Sequence, residues 1–198
     1  MTEKPTTTLK NELFTAPNIL VYIRILLIPV FVILYLNANR LAEYVWAFSV
    51  MAIAFLTDFF DGKIARKFNC VTDLGKTIDP IADKLYQFAV ALCLMIEYPL
   101  MRSVAIILFI KEISMGIMGL VLIGKGGKIF GAKWYGKICT AFVDLTMVFL
   151  LIAPLFGKEI SPAFISTLIY CCDAILIIVS VMYTRLFTSK IKEIDQNL

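Results

Sequence analysis

The sequence contains no histidine. That absence removes imidazole acid–base chemistry and histidine-ligated zinc from the functions open to it. Charge is scarce as well. Only 17% of the 198 residues are Asp, Glu, Lys or Arg, where a soluble domain carries about 25%. The five cysteines, Cys70, Cys93, Cys139, Cys171 and Cys172, form no C-x-x-C pair, and four lie inside apolar runs. They read as small apolar residues rather than a disulfide framework. Residues 1–10 are polar and Thr-rich, without the charged, apolar and small-residue order of a cleaved signal peptide. The net charge of +4 is too small to argue for nucleic acid as a partner.

What the chain has is apolar mass: 60% of its residues are hydrophobic and the mean hydropathy is +0.86. Six apolar stretches stand out, at roughly 17–36, 42–66, 77–97, 101–123, 134–156 and 163–187. Each reaches the ~20 residues needed to cross a bilayer. Backbone in lipid must satisfy its own hydrogen bonds, so runs of this length are helices. The expected fold is an all-α integral membrane domain spanning 1–198, with six transmembrane helices. Residues 1–16 form a cytoplasmic or interfacial N-terminal segment, and 188–198 a polar C-terminal tail. Lys and Arg are unevenly shared between the loops. One side collects Lys4, Lys10, Lys63, Arg66, Lys67, Lys76, Lys125, Lys128, Lys133, Lys137, Arg185, Lys190 and Lys192, and the other only Arg40, Arg102 and Lys158. By the positive-inside rule both termini are cytoplasmic.

Between the second and third stretches the chain reads D58-F-F-D-G-K-I-A-R-K-F-N-C-V-T-D-L-G-K-T-I-D-P-I-A-D83. Asp58, Asp61, Asp79 and Asp83 lie in or beside apolar helix, where each charge costs at least ~2.5 kcal/mol to insert. Four together repel one another, so something must compensate. Asp58 and Asp61 are three apart and Asp79 and Asp83 four apart, so each pair shares a helix face. The connection is short, the helices are antiparallel neighbours, and the two pairs can converge. Converging carboxylates without His or Cys make an all-oxygen site suited to Mg²⁺, Mn²⁺ or Ca²⁺. Two metal ions best balance four negative charges, and two-metal sites recur in phosphoryl transfer. Gly62 and Gly75 leave room for a ligand to approach the backbone. Arg66 can make a forked contact to a phosphate oxygen. An isolated D-x-x-D is ordinarily a solvated helix face, but here the acids sit in apolar context within a longer pattern.

That pattern, D-x2-D-G-x2-A-R-x8-G-x3-D-x3-D, resembles the signature of the CDP-alcohol phosphotransferase superfamily. Every signature position is matched, by Asp58, Asp61, Gly62, Ala65, Arg66, Gly75, Asp79 and Asp83. P17-N18-I19-L20-V21-Y22-I23-R24 with Pro29, and I78-D79-P80-I81-A82-D83-K84, are similar to segments of the bacterial phosphatidylglycerophosphate synthase branch. The second segment is also like the related cardiolipin synthases. The resemblance implies an enzyme of phospholipid synthesis in the bacterial cytoplasmic membrane, with its site facing the cytoplasm. It implies transfer of a phosphatidyl group from CDP-diacylglycerol to glycerol 3-phosphate. Asp58, Asp61 and Asp79 would hold two metal ions, Mg²⁺ or Mn²⁺. Asp83 would touch the second metal and accept the proton of the attacking hydroxyl. Gly62, Arg66, Thr72 and Gly75 would serve the CDP-lipid. A homodimer is implied by the resemblance alone.

Four cations are candidates for holding the acceptor: Arg24 in the first stretch, Lys111 in the fourth, and Lys133 and Lys137 at the head of the fifth. Each has a plainer reading. Lys111 can pair with a neighbouring helix, and the other lysines can snorkel to lipid headgroups. The phosphatidylglycerophosphate synthases lead one to expect Arg-Glu where this chain has Lys111-Glu112, and the lysine is a departure. Asp144 and Asp173, isolated acids in the fifth and sixth stretches, read as helix-to-helix hydrogen-bonding groups. Two rivals remain in view. Within the superfamily the acceptor could be phosphatidylglycerol or an inositol phosphate. Outside it, intramembrane acids also mark ion-coupled transporters, although here they cluster at one end of two helices and no inverted half repeats them.

Overall fold

The computed structural model describes residues 15–67, 73–127, 131, 133–156 and 160–196. Among these there is no strand. Six α-helices follow one another: α1 Ala16–Leu36, α2 Leu41–Lys67, α3 Asp73–Glu97, α4 Met101–Gly124, α5 Trp134–Ile152 and α6 Pro162–Asp195, with a 3-10 turn Ala153–Phe156 after α5. Pro17 and Pro162 stand in the first turns of α1 and α6. A missing N–H costs nothing there, and the fixed φ suits the helix.

Among the described residues, four helices contain spans long and apolar enough to cross a membrane: Asn18–Leu36, Met101–Gly124, Trp134–Leu155 and Pro162–Asp195. α2 and α3 are longer still than α1, but they carry the acids and their flanking cations. Within the described residues the apolar part of α2 is Leu41–Thr57. All six helices nonetheless turn large apolar side chains outward, among them Leu26, Trp46, Leu92, Leu120, Leu145 and Ile178. Apolar surface on that scale needs a non-aqueous neighbour.

The chain forms two compact units, Met1–Cys93 and Leu94–Leu198. In the first, α1 and α2 pack together. The turn between them is closed by Glu43, whose Oε2 accepts the backbone N–H groups of Asn39 and Arg40 at 2.5 and 3.1 Å. A carboxylate reaching back over the first turn satisfies donors the helix itself cannot. Ala47, Met51 and Ala54 form a buried stripe on α2, where small residues let backbones approach.

In the second unit α6 packs against both α4 and α5. Its buried stripe is Ile169, Cys172, Leu176, Val179, Tyr183 and Phe187, at helical spacing. Ser103 of α4 donates to Asp173 Oδ2 of α6 at 2.6 Å, which is the helix-to-helix role expected of that acid. Two residues past the end of α4 stands Gly126, whose φ of +79° suits glycine, which has no Cβ to strain. The N–H of Gly126 reaches Ile123 O at 2.8 Å, and that of Gly127 reaches Leu122 O at 2.9 Å, a Schellman closure. Lys125 beside this turn pairs with Asp195, the last residue of α6. The helix thus continues well past 187, where the apolar run stops, and most of the expected polar tail is helical.

Candidate active site

α2 runs unbroken through Asp58, Asp61, Gly62, Ala65 and Arg66 to Lys67, and α3 resumes at Asp73. The side chains of Asp58, Asp61 and Arg66 lie outside the described residues, as do the surroundings of Gly62 and Gly75 and the whole of Thr72. Asp79 and Asp83 are described, one turn apart on α3. Pro80 stands between them, so one rung of the helix ladder is missing beside the site.

Arg24 of α1 meets both acids. Its Nη1 donates to Asp83 Oδ1 at 2.6 Å and to Asp79 Oδ1 at 3.2 Å. The arginine side chain is 2% exposed, while the two carboxylates are 43% and 50% exposed. A guanidinium is thus held inside the unit and its charge is balanced at the unit's margin. Val21, Arg24, Phe31 and Tyr35 are all buried on α1, so a cation occupies a position that otherwise takes apolar residues. A single buried charge is expensive, and charge-assisted hydrogen bonds to two carboxylates offset that cost. The sequence makes Arg24 one of four candidates for holding the acceptor. The structure brings it against two of the four acids.

The donor chemistry fits a hard divalent ion. Asp79 and Asp83 already converge on one cationic group, and both present oxygen alone. Among the described residues no cluster of three or more His, Cys, Asp or Glu is close enough to hold a metal. The remaining expected ligands, Asp58 and Asp61, fall outside that description.

The second unit gathers other cations. Lys111 is 5% exposed, and its Nζ pairs with Glu112 Oε1 at 2.6 Å. The ion pair is therefore between neighbours on one helix. Lys111 lies in the buried stripe of α4 with Met101, Val104 and Leu108. It lines a groove of about 270 Å³ between α4 and α6, together with Ser114, Ser180, Thr184 and Arg185. Arg185 was read from sequence only as a loop-side charge. Its signal was position: with Val181 it faces the groove at helical spacing. Lys133 and Lys137 are exposed at the head of α5, four residues apart and joined by the first helical hydrogen bond, Lys137 N–H to Lys133 O at 3.2 Å.

Comparison with known proteins agrees with the motif. The profile of the CDP-alcohol phosphatidyltransferase family matches residues 14–186, and the chain belongs to that family. It is 31% identical over 164 residues to a probable phosphatidylglycerophosphate synthase of Mycobacterium tuberculosis, covering 82% of this chain and 75% of that protein. It is 36% identical over 140 residues to the CDP-diacylglycerol–glycerol-3-phosphate 3-phosphatidyltransferase of Bacillus subtilis, covering 65% and 72%. With the protein of the same name from Rickettsia typhi the identity is 48% over 79 residues, 40% of this chain and 44% of that one.

Proposed function

We infer that this chain transfers the phosphatidyl group of CDP-diacylglycerol to glycerol 3-phosphate, giving phosphatidylglycerophosphate and CMP. The observation that carries this reading is the pair Asp79 and Asp83, converging on Arg24 within the family motif. Similarity to proteins named for the same transfer supports the choice of acceptor.

The roles follow from the chemistry of the groups. Asp83, half exposed, takes the proton of the attacking hydroxyl as general base. The new oxygen–phosphorus bond forms at the lipid-bearing phosphorus, and the bond to the CMP oxygen breaks. Asp58, Asp61, Asp79 and Asp83 would hold Mg²⁺ or Mn²⁺, which would neutralise the diphosphate and the leaving CMP. Gly62, Arg66, Thr72 and Gly75 serve the CDP-lipid, Arg66 through a forked contact to phosphate. Arg24 restrains the carboxylates of α3 and holds Asp83 oriented. Lys111, Lys133 and Lys137 serve the acceptor's phosphate, and Arg185, in the groove with Lys111, joins them.

All six helices are taken to cross the membrane, with both termini in the cytoplasm. The outward apolar residues of α2 and α3 and the distribution of Lys and Arg support this topology.

Assay with labelled CDP-diacylglycerol and a panel of acceptors tests the reading. Glycerol 3-phosphate is expected to be used. Use of phosphatidylglycerol instead would move the chain to the cardiolipin-forming branch. Replacing Lys137 with Ala should raise the KM for glycerol 3-phosphate about 10-fold or more, from loss of a charge-assisted contact of ~1.5–3 kcal/mol. The KM for the donor should hold, because a contact made equally in ground and transition states acts on binding. A rise in the donor KM would reverse the assignment of substrates.

Arg24→Met should lower the thermal unfolding temperature in detergent, and by more in EDTA than in millimolar Mg²⁺. A divalent ion on Asp79 and Asp83 supplies the counter-charge that the substitution removes. An equal loss in both buffers would remove Arg24 from any link with the ion.

A further inference from the structure

The acceptor lysines at the head of α5 are held from another helix. Tyr183 of α6 is 3% exposed, and its hydroxyl accepts the backbone N–H of Lys133 at 3.0 Å. That N–H stands just before α5, among the donors a helix cannot satisfy from within. Lys133 makes no side-chain cap of its own here. A phenol from α6 does the capping instead.

The phenol also fills the space left by a glycine. A Cβ placed on Gly136 would lie 2.2 Å from the Tyr183 hydroxyl and 3.0 Å from two of its ring carbons. No real side chain tolerates the first distance, so glycine at 136 and tyrosine at 183 are matched in shape. The Tyr135 ring packs on Tyr183 with centroids 5.0 Å apart. Residues 133, 135 and 136 are thus all referenced to one side chain. Thr184 and Arg185, the next two residues on α6, line the groove that holds Lys111.

We propose that Tyr183, seated against Gly136, is a positioning residue that fixes Lys133 and Lys137 relative to the Lys111–Arg185 groove. The proposal rests on the assignment of those lysines to the acceptor's phosphate. Tyr183 itself touches no substrate. It acts by setting where the first turn of α5 begins, and therefore where two ammonium groups four residues apart are presented.

The test is a two-residue cycle with glycerol 3-phosphate and CDP-diacylglycerol as the varied substrates. Tyr183→Phe keeps the ring and removes the hydroxyl. It should raise the acceptor KM about 5-fold, the scale of one lost hydrogen bond, with kcat and the donor KM within about twofold. Gly136→Ala forces the methyl into the hydroxyl's space and should raise the acceptor KM about 20-fold, since overpacking shifts the whole turn. The double variant should be better than Gly136→Ala alone, because the methyl then occupies the room the hydroxyl has left.

Rescue of that kind is not produced by two independent losses. Thermal unfolding in detergent, followed in parallel, confirms that each variant is folded. The proposal is overturned if the acceptor KM stays flat in both single variants, if the two effects simply add, or if the donor KM rises equally. Coupling seen in unfolding temperature but not in acceptor KM would make the contact structural only, and would also overturn it. Failure of the underlying assignment looks different: Lys133→Ala and Lys137→Ala would then leave the acceptor KM unmoved.

Discussion

Asparagine at Asp58, Asp61, Asp79 or Asp83 is expected to abolish transfer while leaving the protein in the membrane. Each substitution removes one anionic oxygen from the proposed metal site, and loss of a general base alone costs about 10²–10⁴ in rate. Asn is cheaper than Asp to place in apolar surroundings, so insertion and folding should survive. At positions 79 and 83 the amide oxygen can still accept from Arg24, which keeps the α1–α3 contact while removing its charge. Activity in proteoliposomes with saturating donor and acceptor is the measurement. Retention of more than a tenth of wild-type rate in any two of the four variants would end the assignment of these acids to a metal site.

Washing membranes with EDTA is expected to remove all turnover, and Mg²⁺ or Mn²⁺ to restore it. Zinc alone should not restore it, because the proposed ligand set is carboxylate throughout and the chain has no histidine. Arg24 bears on the size of the effect. It occupies the same two carboxylates that an ion would use, so the ion must compete with a guanidinium at 2.6 and 3.2 Å. Micromolar metal should therefore restore little, and millimolar metal should restore the full rate. Binding can be read without turnover, from the electron paramagnetic resonance signal of free Mn²⁺ titrated with protein. Full turnover without added metal after chelation would contradict the whole scheme.

The helices are legible because four of the six apolar runs stop at a charge or a glycine: Arg66, Glu97, Gly124 and Gly157. The stretch expected at 17–36 is Ala16–Leu36, and that at 101–123 is Met101–Gly124. α6 was read short. Hydropathy stops near 187, whereas the helix continues to Asp195, where Lys125 pairs with its last residue. α2 and α3 show the converse: their helical extent was legible, but the acids that make them interesting also dilute their apolar character.

The site divides in the same way. The spacing of Asp79 and Asp83 is local information, and helix periodicity alone puts them one turn apart. The partner of Arg24 is 55 and 59 residues away in sequence, and nothing within the first stretch announces it. A hint existed in the apolar stripe of α1, which takes a cation where its neighbours are Val and Phe. The same hint was present at Lys111. Tyr183 carried no hint, since a buried tyrosine on a helical stripe is ordinary core until its hydroxyl is seen against Gly136.

α6 has a mechanical consequence. At ~1.5 Å per residue its 34 residues reach about 51 Å, well beyond a ~30 Å hydrocarbon layer. Along that length it meets Ser103 through Asp173, the start of α5 through Tyr183, and the end of α4 through Asp195. The helix works as an indexed shaft: its angular register at one height dictates register at every other. One residue inserted near Ile177 would rotate everything beyond it by about 100° and advance it by ~1.5 Å. Asp173 would keep its serine, while Tyr183, Arg185 and Asp195 would all turn out of register together. Length within this helix is therefore under a tighter constraint than the identity of most of its residues, and changes in length belong at its ends.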